Sequence, residues 1–115
     1  MTESHTLQSI RLALSHDDVR LFRNNVGVLK DSRGKFVTYG LCPGSSDLIG
    51  WKSLIITPDM IGQRIAQFVA VEVKSNTGRP TDEQRSFILA VRQNGGRAGF
   101  ARSVPEAREI LDVRE

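Results

Sequence analysis

The chain has 115 residues and a mass of 12.8 kDa, the length of one compact domain with no room for a second. With 39% hydrophobic and 25% charged residues and a net charge of +3, it is neither a disordered tail nor a fibre, and no apolar run approaches the roughly 20 residues that a membrane span requires. One cysteine, Cys42, excludes an internal disulfide framework and a cysteine-rich zinc site.

In chain order, Leu7, Ile10 and Leu14 recur at helical spacing and predict an amphipathic helix from about Ser4 to Ser15. Val19 to Val28 reads as a strand. Asp31-Ser32-Arg33-Gly34 has turn composition, so Lys35 to Tyr39 is expected to fold back as the second arm of a hairpin. A flexible loop, Gly40 to Ser46, leads into a short strand at Asp47 to Trp51. Leu54-Ile55-Ile56 is expected to extend or pair with that strand before a turn near Pro58-Asp59. Gln67 to Ser75 is rich in β-branched residues and predicts a strand with Val69, Val71 and Val73 on one face.

Asn76 to Pro80 stops this strand. A helix follows from Thr81 to Asn94, opened by a Thr81/Gln84 capping box and closed by Asn94-Gly95-Gly96. Arg97 to Arg102 is a last strand, and Ser103-Val104-Pro105-Glu106 opens a terminal helix with a second capping box. Helix, several strands, helix, strand, helix is the order of a small α/β fold, a central mixed β-sheet flanked by helices.

Side chains alternate across a strand, so Glu72 and Lys74 share one face while Val71 and Val73 share the other, turned to the core. Alone, the Glu72/Lys74 pair is an ion pair on a solvated sheet face or half of a catalytic set that needs another carboxylate. Asp47 offers that carboxylate at the mouth of its glycine-serine loop, where an aspartate also serves as an ordinary turn residue.

A Gly-x-x-Asp entry into a strand, then a strand carrying Glu-x-Lys, then a helix, is the order of the PD-(D/E)xK nuclease pattern. Here it reads Gly44-Ser45-Ser46-Asp47 and Glu72-Val73-Lys74. Together with Glu3 and Gln8, Phe22-Arg23-Asn24-Asn25-Val26-Gly27, Asp47-Leu48-Ile49-Gly50 and Gln84, the chain resembles the VRR-NUC nuclease family from Glu3 to about Arg102, in a free-standing, minimal form.

The resemblance implies a restriction-endonuclease-like core and one nuclease domain over residues 1–115. It also implies a Mg²⁺- or Mn²⁺-dependent DNA endonuclease selective for branched, four-way-junction or flap DNA, as in DNA repair and recombination. Asp47, Glu72 and the Val73 carbonyl would hold the metal, and Lys74 would orient or deprotonate the attacking water. Glu3 is either an outer metal ligand or a carboxylate favoured by the helix dipole. Gln84 is an active-site residue as well as a cap.

Arg23, Asn24, Ser46 and Arg79 are candidate DNA contacts, and Arg85, Arg92 and Arg97 extend a phosphate-facing rim. Of the 16 basic residues 12 are arginine, whose planar fork suits phosphate oxygens, although codon preference accounts for such a bias equally well. His5 and His16 lack the partners of a histidine-metal nuclease and read as surface residues. Trp51 reads as core or interface.

So small a chain has no separate DNA-reading module, and a homodimer is the natural way to enlarge its footprint. The first residues lack the basic and apolar regions of a secretion signal, so a soluble, cytoplasmic protein is expected. The competing functions are an inert nucleic-acid-binding module and a nuclease subunit that needs a partner for specificity.

Overall fold

The computed structural model describes residues 2–113. Helices and strands interleave in a mixed α/β order, as the sequence predicts, and both antiparallel and parallel pairing occur. The described strands pair as two-stranded ladders, two of them antiparallel and one parallel. The fold gathers into two compact units, one up to Lys52 and one from Ser53 onward. No helix among the described residues is long and apolar enough to cross a membrane.

In the first unit, α1 (Glu3–Leu14) starts where the Thr2 side chain accepts a hydrogen bond from the His5 N–H at 3.1 Å, with Glu3 in the positive first turn. Leu7 is half-buried, but Ile10 and Leu14 stay exposed, so the helix is less deeply seated than its pattern predicts. The segment read as one strand from Val19 to Val28 is two. β1 (Val19–Arg23) pairs antiparallel with β4 (Leu48–Lys52), whereas β2 (Gly27–Lys30) pairs with β3 (Phe36–Tyr39), and the chain changes partner across Asn24 to Val26.

The β2–β3 hairpin is tied by Asp31, whose Oδ1 accepts from the Arg33 and Lys35 amides at 2.8 and 2.9 Å. Across β1–β4, Trp51 meets Phe22 edge-on at 5.5 Å and Arg20 lies over its ring at 5.7 Å. Gly50 sits opposite Leu21, where any Cβ would overlap the Arg20 carbonyl oxygen.

In the second unit, Leu54 to Ile56 form no strand and are exposed; β propensity alone does not hold a strand without a ladder partner. Pro58–Met60 make a short 3₁₀ turn. β5 (Val69–Val73) and β6 (Arg97–Ala101) pair in parallel, Glu72 opposite Phe100 and Val73 opposite Ala101, with α2 (Asp82–Gln93) as the crossover. The capping box at Thr81 and Gln84 is complete.

α2 ends in a Schellman motif. The Gly96 N–H bonds the Val91 carbonyl and the Gly95 N–H bonds that of Arg92, with Gly95 at φ +94°. Ser103 caps α3 (Val104–Leu111), but the Glu106 carboxylate reaches past it to the Arg102 N–H at 2.6 Å, so the second box is only half formed.

Ile88, Val91, Ala98 and Ala101 are the buried apolar residues. The expected core face of β5 is not seen: Val73 is 74% exposed and Val69 49%, with Val71 half-buried. α2 and α3 pack chiefly on β6, which leaves β5 as the thinly covered strand of the ladder.

Candidate active site

Asn24, a candidate DNA contact from the sequence, is buried, its side chain turned to the 41–47 loop. Its Nδ2 donates to Ser45 Oγ at 2.6 Å and to the Ser46 carbonyl at 3.0 Å. Its Oδ1 accepts from the Leu41 N–H at 2.9 Å, and its own N–H bonds the Asp47 carbonyl at 2.8 Å. Every polar group of the side chain is thus spent on the loop.

Ser45 completes the knot by donating to the Cys42 carbonyl at 2.7 Å. Asp47 follows directly, exposed, one residue ahead of β4. A short polar loop would ordinarily leave such an aspartate mobile; here its main chain is fixed from beneath. Glu3 opens α1 and Arg23 closes β1, both exposed in this first unit, as is Ser46.

The second unit holds the other candidates. Glu72 and Lys74 project from the same face of one strand, and the Lys74 Nζ lies 3.9 Å from Glu72 Oε2. The Lys74 side chain is only 15% exposed and that of Glu72 36%, so the ammonium is drawn out of solvent while the carboxylate keeps partial access to it. At 3.9 Å the ammonium is within Coulombic reach but beyond a hydrogen bond, which leaves its three N–H donors open to a further acceptor.

The Lys74 N–H bonds the Ala101 carbonyl at 3.0 Å, so the ladder runs one residue past β5 and fixes the backbone beneath the pair. Main-chain groups alternate along a strand; with Lys74 turned to β6, the Val73 carbonyl points to the opposite edge, where the ladder has no further strand among the described residues. Gln84 is half-buried, its Oε1 held by the Thr81 N–H, while its Nε2 makes no hydrogen bond to a described residue.

Two carboxylates and a main-chain carbonyl are hard oxygen donors of the kind that Mg²⁺ and Mn²⁺ take, with no thiolate or imidazole among them. Within each unit, no three or more His, Cys, Asp or Glu side chains of the described residues gather closely enough to hold an ion by themselves.

The arginines separate by what they do. Arg92 Nε donates to the Ala98 carbonyl and Arg97 Nε to that of Ile110, both at 2.8 Å, which ties α2 and α3 to the β6 strand. Arg79 is exposed on the loop after β5. Arg102, which sequence reasoning left aside, clamps that loop: Nε donates to the Ser75 carbonyl at 3.1 Å and Nη2 to that of Gly78 at 3.0 Å. Neither Asn24's burial nor Arg102's clamp had a local signal, because their partners lie far along the chain.

No curated protein and no solved structure matches this chain. A family model does: the VRR-NUC domain, over residues 4–105. That match takes in the braced Gly-x-x-Asp loop, the Glu-x-Lys strand and the capped helix in their proper order, and the chain therefore belongs to the VRR-NUC domain family, a nuclease-type domain.

Proposed function

We propose that the protein is a metal-dependent DNA endonuclease whose residues 1–115 act as one nuclease domain. The observation that carries this reading is the Glu72/Lys74 pair, held 3.9 Å apart with the lysine shielded from solvent on a strand fixed by β6, in a chain of a nuclease-type family. Asp47 and Glu72, with the Val73 carbonyl, would hold Mg²⁺ or Mn²⁺, and Glu3 would reach it as an outer ligand. A divalent ion there supplies neutralisation of the phosphate charge and a more acidic water.

The protein's own groups do the rest. Lys74 orients the attacking water and steadies the charge that gathers on the phosphate oxygens. Glu72 sets the position of the Lys74 ammonium, and the Gln84 amide offers a donor at the head of α2. Arg23, Ser46 and Arg79 contact the DNA backbone, while Asn24 acts from below by holding the Asp47 loop.

Branched DNA is the proposed substrate and a homodimer the proposed active form, since two symmetry-related centres suit a paired cut across a four-way junction. Labelled four-way junction, 5′ flap, single-stranded and linear duplex DNA, each incubated with Mg²⁺, Mn²⁺ or EDTA, test the reading. Cutting that needs the metal, vanishes in Asp47→Ala and favours the branched substrates is the expected result. DNA bound but never cut would establish an inert binding module or a subunit lacking its partner instead.

A further inference from the structure

Immediately after Lys74 the chain forms a cavity of about 560 Å³, lined by the 76–80 loop together with Arg85 and Arg102. Three of its lining side chains, Arg79, Arg85 and Arg102, are cationic and none is acidic. Like charges so gathered repel one another, and a bound anion would relieve that cost.

The three side chains differ in how far they are committed. Arg102 is fixed by two of its own N–H groups on the Ser75 and Gly78 carbonyls, so the cavity wall is built before any ligand arrives and the rest of its fork stays available. Arg85 touches only Asp82, at 3.3 Å, in a pair so exposed (56% and 97%) that an incoming anion displaces it readily. Arg79 makes no hydrogen bond or ion pair with a described residue. One clamped arginine, one weakly paired and one free, lining the same cavity, match a tetrahedral, multiply charged oxyanion, which accepts from several forks at once.

We propose that Arg79, Arg85 and Arg102 together cradle a single backbone phosphate of duplex DNA, a contact that positions the substrate without reading its sequence. This rests on the nuclease reading for the choice of ligand, but not on the acidic residues. A cradle whose lining begins two residues beyond Lys74 registers the strand against the catalytic pair through the main chain they share.

The test is a salt titration of duplex-DNA affinity by fluorescence anisotropy, with the full chain in EDTA so that nothing is cut. Arg79→Gln/Arg85→Gln leaves the Arg102 clamp and the buried residues untouched, and thermal unfolding verifies its fold. If the three arginines share one phosphate, Arg102 still neutralises it in the double variant, so affinity falls several-fold while the slope of log affinity against log salt holds, and adding Arg102→Gln flattens that slope by about 0.9. Separate phosphates would flatten the double variant's slope by about 0.9 for each one lost, and no phosphate would leave its affinity unchanged; either result overturns the cradle.

Cleavage in Mg²⁺ is scored separately. Wild-type cutting with unaltered affinity in the double variant removes the cradle and leaves the nuclease standing. Weakened affinity at an unchanged slope in a protein that never cuts keeps the cradle and removes the nuclease.

Discussion

Asn24 Nδ2 donates to Ser45 Oγ at 2.6 Å, joining the residue after β1 to a loop residue 21 positions further along, two short of Asp47. The pair makes the position of an exposed carboxylate depend on a buried amide. Asn24→Ala strips the loop of three side-chain hydrogen bonds and is expected to cost about 2 kcal/mol by urea denaturation. Asn24→Asp keeps the size but cannot donate to Ser45 and the Ser46 carbonyl, and it is expected to be no better. In both variants metal-dependent cutting falls further than the unfolded fraction explains; activity in proportion to folded protein would show that the loop has no bearing on Asp47.

Lys74 tests the chemistry more directly. Lys74→Ala and Lys74→Arg are expected to lower cleavage by about 100-fold or more while DNA affinity in EDTA stays near wild type. The arginine variant is the informative one, because it keeps the charge but puts a bulky fork where a compact ammonium is confined beside Glu72. Turnover by either variant at near the wild-type rate sinks the assignment.

Gln84 has two duties that one substitution separates. A glutamate at this position still accepts from the Thr81 N–H, so Gln84→Glu keeps the capping box and is expected to unfold within about 0.5 kcal/mol of wild type. It loses the amide donor, and its cleavage rate is expected to drop. Gln84→Ala loses both, with a stability cost of about 1 kcal/mol. Full cleavage by Gln84→Glu would leave the residue a helix cap and nothing more.

Gly50 is where the β1–β4 ladder tolerates no side chain. Gly50→Ala drives a methyl into the Arg20 carbonyl and is expected to cost about 2 kcal/mol or more, read by chemical denaturation. Wild-type stability in this variant would mean that the two strands separate at little cost at this position.

What the sequence made legible follows from range. The α2 cap, the Schellman end at Gly95 and the Asp31 turn are written in neighbouring residues, and all are found where the chain predicts them. The break between β1 and β2 was hidden, because it comes from a change of strand partner and no proline or glycine pair marks it. Asn24 read as a DNA contact and Arg102 only as the end of a strand, because the partners that hold them are 17 to 27 residues away. The valines of β5 misled in the opposite sense: β-branched side chains announce a strand, not how well it is covered, and Val73 stands exposed.

The parallel pairing of β5 with β6 also sets an order of events at synthesis. A strand that pairs in parallel waits for its crossover, so the Glu72–Lys74 segment acquires its ladder only after α2 and Arg97 to Ala101 have left the ribosome. Antiparallel β1 and β4, complete by Lys52, need nothing downstream of them to pair. A ribosome-bound chain can therefore hold a formed Asp47 strand while its Glu-x-Lys strand is still unsupported.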